Sequence, residues 1–259
     1  MCTMKLRRTH LLCGATAIIL AVLLVWFGFE VRRAQRMALS TAAKGRLNQL
    51  HLALHNYHYV YGQFPPAFIV DENGKPMHSW RVLILPFADN KTLFDSYDFD
   101  EPWDGPNNSR LANRMPAIFH SDTERPSTTY TNLVVITGLG TAFPGSTSTN
   151  LEDFRDGLEN TILLTEIGNS SIPWLAPRDL SIESMSFRVK DSLQPSISSV
   201  AWRQPYVVFA DCITTYTLSQ SMPLDTLRAL TTIAGGENVT RDTLKAQGHL
   251  HISVILSEP

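Results

Sequence analysis

The chain has 259 residues, 44% of them hydrophobic and 18% charged, with a formal net charge of −2. No basic excess points to nucleic acid, and no acidic excess marks a solvated tail. At about 150 residues per domain, the length allows one large domain or two small ones and is enough to bury a core. Of the three cysteines, Cys2, Cys13 and Cys212, only the last lies in the body of the chain, so no disulfide forms within that body. No C-x2-C pair of the zinc-binding kind occurs.

Taken in chain order, a short tail, residues 1–10, comes first. Residues 11–29 then form an uncharged apolar run. As a helix it would rise about 28 Å, close to a bilayer's hydrocarbon thickness. Lys5, Arg7 and Arg8 precede it, and Glu30, Arg32, Arg33 and Arg36 follow at once. A signal peptide has a shorter apolar core and a small-x-small cleavage site; here the run is full length and an Arg-rich segment follows at once, so an uncleaved transmembrane helix is predicted over 11–29. Leu12-Cys13-Gly14 lacks the small residue usual before a lipoprotein cysteine. The basic residues after the run favour a cytoplasmic body by the positive-inside rule.

Residues 31–61 read as one continuing helix. Leu47, Leu50, Leu54, Tyr57 and Tyr61 fall at steps of 3, 4, 3 and 4 and make an apolar stripe. Gly62 and Pro65-Pro66 end it. Ser79 is expected to cap a short helix through Trp80, Val82, Leu83 and Leu85, interrupted by Pro86. Residues 71–74 predict a turn, and residues 101–108 an irregular loop. Strands are expected at 133–136, 161–166 and 206–210, the last with a hairpin return through Ile213, Thr215 and Tyr216. A helix is expected over 223–234, closed by Gly235-Gly236, and a weak edge strand over 249–256. Residues 141–150 and 168–200, rich in Ser, Thr, Gly and Pro, are expected to be loops.

Several groups invite a chemical reading. His51, His55 and His58 lie at i, i+4 and i+7 of the helix, where two histidines can share a metal if other ligands join them. His249 and His251 would share one strand face. Asp98, Asp100, Glu101 and Asp104 supply oxygen ligands of the kind Ca2+ takes, but without a D-x-D-x-D-G run. Turn capping is the alternative for these carboxylates. Cys212 follows a strand with no base to activate it. Gly145-Ser146-Thr147 is no nucleophile elbow, and Gly138-Leu139-Gly140 lacks the third glycine and the helix of a nucleotide loop. No residue is therefore assigned as catalytic, cofactor-binding or metal-binding, and no cofactor is expected.

Eight stretches carry a resemblance: residues 52–67, 74–87, 100–108, 138–143, 156–166, 173–180, 207–211 and 227–237. In this order they resemble DUF fifteen-fifty-nine, a large bacterial family of unknown function with prepilin-like N-termini and a C-terminal His-x9-Asp-Gly signature. The resemblance spans about 46–237. It implies an α+β, pilin-like fold: a long N-terminal transmembrane helix continuing into a helix packed on an antiparallel sheet, with the body, 30–259, outside the cytoplasmic membrane. This chain departs from the family pattern. Gly14 is followed by Ala15, and no Glu lies in the apolar run. Ala201 and Cys212 stand where the signature His and Gly would be, while Asp211 is kept. The Cys-Pro pair that many members have near His120-Ser121 is absent. The resulting expectation is a non-enzymatic, single-pass, membrane-anchored envelope protein with a pseudopilin-like body. Its partners would be the membrane and other envelope or secretion-system proteins, with no nucleic acid. The residues expected to matter are structural: the stripe from Leu47 to Tyr61, Trp80, Trp103, residues 156–161 and Asp211. The alternative is an extracytoplasmic solute- or ion-binding module.

Overall fold

The computed structural model describes residues 2–121, 129–211 and 214–253, with side chains from residue 20 onward. Two compact units divide the chain, Met1–Thr41 and Ala42–Pro259. Helix α1, Cys2–Tyr61, runs through both. Gly62, at φ 74°, ends it by donating its N–H to the His58 carbonyl at 2.7 Å, a left-handed position that a side chain would strain.

The expected transmembrane helix is corrected. Among the described residues no helix is long and apolar enough to cross a membrane. Of the apolar run 11–29, the first part, 11–19, lies outside the residues whose side chains are described. The described part, 20–29, rises only about 15 Å, half of a hydrocarbon core of about 30 Å, before Glu30, Arg32 and Arg33 interrupt it. The pilin-like fold class rested on that span. So did the single-pass envelope anchor, the membrane as partner and the cytoplasmic-membrane location. All four are corrected with it. A long N-terminal helix and a mixed α+β body are what the structure has.

Within the larger unit, β1 (Phe68–Val70) and β2 (Pro76–Ser79) form an antiparallel hairpin. Its turn is the one expected at 71–74: the Asp71 carboxylate accepts the N–H groups of Asn73 and Lys75. Ser79 caps α2 (Trp80–Leu83) by accepting the Arg81 N–H, and Pro86 sits in a 3-10 turn rather than in the helix. Helix α3, Lys91–Asp95, follows. Strand β3 (Tyr130–Thr131) pairs with β7 (Ile172–Pro173). The single strand expected at 133–136 is two: β4 (Leu133–Val134) and β5 (Ile136–Thr137) join different sheets. Strand β5 pairs in parallel with β8 (Leu180–Ser181).

The main sheet adds β6 (Ile162–Glu166), β9 (Tyr206–Phe209), β10 (Thr215–Leu218) and β11 (Leu250–Ile252). Its order is β11-β10-β9-β6-β4, antiparallel throughout. Both faces are covered. Tyr206, Val208 and Ala210 point into one core with Leu47, Leu50 and Leu54 of α1, Trp80, Phe119 and Trp174. Val207 and Phe209 point into the other, with Leu180, Met185, Leu227 and Leu230. A strand buried on both faces reads as a continuous apolar run, which is why 206–210 shows no alternation. Helix α4 (Leu224–Ala229) is shorter than expected, and α5 (Arg241–Ala246) went unforeseen. Its apolar signal is a single buried leucine, Leu244.

Candidate functional site

Leu47, Leu50 and Leu54 are fully buried, which fixes the rotation of α1. His51 lies one turn beyond Leu47, and His55 one turn further. Both rings therefore face the C-terminal end of β9. The His51 and His55 ring centroids are 4.2 Å apart, tilted by 34°. His55 Nε2 lies 3.0 Å from the Ala210 carbonyl oxygen. Phe64 sets its ring edge-on to His55 at 5.3 Å and tilted against His58 at 5.1 Å. Asp211, next in the chain, is held by Arg241 through two bonds of 2.7 and 2.8 Å. Arg241 in turn lies over the Phe209 and Tyr216 rings.

His51 is only 4% exposed. Neither of its ring nitrogens makes a well-formed hydrogen bond among the described residues, and neither does His58 Nε2, although the Ala210 and Phe209 carbonyls lie close enough to His51 to favour its charged form. A buried polar atom without a partner costs about 1–3 kcal/mol, so an orphaned imidazole calls for an explanation. Burial pushes His51 down to about 4, and the neighbouring His55 adds to this; the Ala210 carbonyl and the Asp211 carboxylate oppose it. His55 is lowered as well, chiefly by burial, with Ala210 and Asp211 opposing. Both imidazoles are therefore neutral at pH 7, with lone pairs available.

A second buried polar group went unnoticed in the sequence because it ends an apolar strand. Glu166 is fully buried. It accepts the Ser121 hydroxyl at 2.7 Å and the Tyr206 N–H at 2.8 Å, and Asn132 donates to the same Ser121 oxygen. Burial pushes its carboxyl up to about 7, against the pull of these donors and of Lys190.

The other candidates do not assemble. In the acidic loop two of the four carboxylates, Asp98 and Glu101, accept from the loop's own backbone. Glu101 accepts the Asn107 and Asn108 N–H groups, Asp98 accepts that of Asp100, and Asn108 holds three carbonyls. His251 is exposed, and His249 meets Ser221 at 3.3 Å. Ser146 is exposed on its loop. Gly138 and Gly140 shape a turn tied to Thr141, with no helix opening there. Cys212 lies outside the described residues. Among those residues no group of three or more His, Cys, Asp or Glu is placed to hold a metal.

The structural residues are accounted for more fully. Trp80 is buried and donates to Asp179, and Trp103 packs partly against the first core. Asp156 accepts the Gly235 and Gly236 N–H groups at 2.6 and 2.9 Å, joining two of the eight stretches. Tyr61 alone leaves the stripe, at 58% exposed.

Residues 40–144 match the family labelled SBP_bac_10, described as a protein of unknown function (DUF1559). This links residues 40–144, less than half of the chain, to a family of unknown function. The match takes in four of the eight stretches, those from 52–67 to 138–143. The four later stretches, the C-terminal signature and the prepilin-like N-terminus lie outside it. No curated protein and no solved structure matches the chain.

Proposed function

We propose that the unit from residue 42 onward is a non-enzymatic solute- or ion-binding module. The observation that carries this is His51: a neutral imidazole, almost wholly buried, with neither nitrogen in a well-formed hydrogen bond, beside a second histidine and the Ala210 and Phe209 carbonyls. Folded proteins satisfy nearly all such groups. A ligand that supplies the missing partner explains why the sequence keeps one there. The match of residues 40–144 to a family whose label abbreviates solute-binding protein supports the same reading.

The test is a thermal-shift panel on the purified chain at pH 7.5, with Ca2+, transition-metal ions, sugars, amino acids and small anions. A ligand at 100 times its Kd stabilises by about 2.7 kcal/mol, a shift of several degrees for a domain this size. At least one class is expected to shift the melt, with the shift weakened by His51→Gln. A flat panel at millimolar ligand would overturn the proposal.

A further inference from the structure

We propose that residues 198–205 form a strap fastened over the end of β6 by the Glu166 side chain, closed while that carboxyl group is protonated and released when it ionises. No ligand at His51 is needed for it. Between β8 and β9 the chain runs from Ile182 to Pro205 without a helix or a named strand. The first part is anchored by apolar side chains, since Met185, Phe187, Val189 and Ile197 are buried in the second core. Beyond Ile197 the anchors are polar. Ser198 donates its N–H to the Glu166 carbonyl at 3.1 Å, and its hydroxyl accepts the Gly168 N–H at 2.9 Å. Val200, Ala201 and Arg203 are exposed. Trp202 packs partly against the first core, its N–H meets the Ser199 oxygen at 3.2 Å, and its carbonyl accepts the Lys190 ammonium at 2.9 Å. Its indole Nε1 is buried with no hydrogen-bond partner among the described residues. That donor is kept from water only while the strap is closed, so opening relieves its desolvation.

Glu166 is the fastening. One oxygen accepts the Tyr206 N–H, where the strap joins β9, and the other accepts the Ser121 hydroxyl. The Ser199 hydroxyl of the strap faces the same group. All three donors are neutral, and among the described residues no ion pair forms at this carboxyl. Lys190 is the cation that faces it, and its ammonium is engaged by the Trp202 carbonyl. From α1, Arg46 donates to the carbonyl of His120, the titratable residue next to Ser121. Strand β4 follows Asn132, which donates to Ser121 and carries no charge. Arg203, on the strap, is turned to solvent. A buried carboxylate held by neutral donors bears a desolvation cost that the carboxylic acid avoids. The acid suits the closed strap, because its O–H can donate to a serine oxygen, which has two lone pairs.

Linkage fixes the sign. Burial lifts the group to about 7 under the closed strap, from 4.5 where it meets water. The closed form therefore binds the proton more tightly than the open form. Opening becomes more favourable by about tenfold per pH unit between these two values and levels off above them. In the open form water reaches both the Glu166 carboxylate and the Trp202 indole N–H. The sheet stays intact, because β6 and β9 keep the two apolar cores on either face.

The test is amide hydrogen exchange of the full chain, read by mass spectrometry, for the parent and Glu166→Gln across about pH 5.5 to 8. Glutamine keeps the size and the hydrogen-bonding reach of the acid and cannot ionise. Dividing the two rates at each pH removes the intrinsic pH dependence of exchange. For peptides covering 198–204 the ratio of parent to variant is expected to rise roughly tenfold between about pH 5.5 and 7 and to level off by about pH 8. Peptides from β6 and β10 should stay protected in both proteins over the same time. If Glu166→Gln fails to fold, the parent's exchange divided by the rate of an unstructured peptide should show the same rise. A ratio that is flat or falls with pH overturns the strap. So does exchange of 198–204 only in step with β6, because no local opening then exists.

Discussion

Glu166 and His51 are both buried, and burial moves them in opposite directions. The carboxyl of Glu166 is raised to about 7 from 4.5, so the folded chain holds that proton more tightly than the unfolded chain. Its contribution to stability is full below pH 4.5 and is lost as pH rises through 7. The imidazole of His51 is lowered to about 4 from 6.5, so the unfolded chain takes the proton first. Its contribution is full above pH 6.5 and is lost as pH falls through 4. Each shift corresponds to about 3 kcal/mol, and the windows nearly coincide. The two slopes therefore oppose one another between pH 4.5 and 6.5. Removing one group should expose the other. Relative to the parent chain, Glu166→Gln should become steadily less stable as pH falls from 6.5 to 4.5. His51→Phe should become relatively more stable over the same range. Urea unfolding of the three proteins at four pH values reads this directly. Parallel profiles would mean that one or both groups are hydrated in the folded state.

At the scale of elements, the main fastening is an ion pair that no local pattern announces. Arg81 on α2 and Asp179, just before β8, meet at 2.5 Å with side chains 0% and 1% exposed. Arg81 also donates to the Leu133 carbonyl, while Asp179 accepts the Val135 N–H and the Trp80 indole N–H. One pair thus ties α2, β4 and β8 around the tryptophan core. Breaking a buried pair leaves a charge uncompensated and costs about 3–5 kcal/mol. Asp179→Ala is expected to lose that much in urea unfolding. Adding Arg81→Met to it should recover part of the loss, because the stranded charge goes with it. Additive losses would show that Asp179 acts through Val135 and Trp80 alone. The sequence contained both residues within stretches of family resemblance but nothing to pair them across 98 positions. What was legible was local: the Ser79 cap, the stop at Gly62, the buried strands at 161–166 and 206–210. The histidine row was legible as a spacing. Its neighbours, Ala210 and Asp211, were legible only as a strand end, because pairing them with the helix is a long-range fact of topology. Glu166 was hidden for the same reason: a carboxylate at a strand end looks exposed until the sheet around it is known. The transmembrane expectation went wrong differently, by reading a run of composition as an element of sufficient apolar length.

For the whole molecule, the division at residue 41 carries its own consequence. Every residue of both apolar cores lies at Ala43 or beyond. Among residues 20–42 none is buried, although Leu24, Val25, Trp26 and Phe29 are large and apolar. The cooperative core is therefore the property of Ala42–Pro259, and the helix before it adds length without adding to that core. A chain starting at Ala42 loses helical turns at the N-terminal side of Ala43 and Leu47, which lets the new helix end fray. That costs on the order of 1 kcal/mol, about 2–4 °C in Tm for a domain of this size. The urea m-value, which follows the surface exposed on unfolding, should stay within roughly a tenth of the parent's, since residues 20–41 hide little surface to begin with. The shortened chain should also keep the ligand response of the His51 site, whose nearest groups all lie beyond residue 42. A drop of more than about 10 °C, or a broad transition with a much smaller m-value, would show that the first unit completes the fold. The Leu47 stripe would then depend on the helix that precedes it.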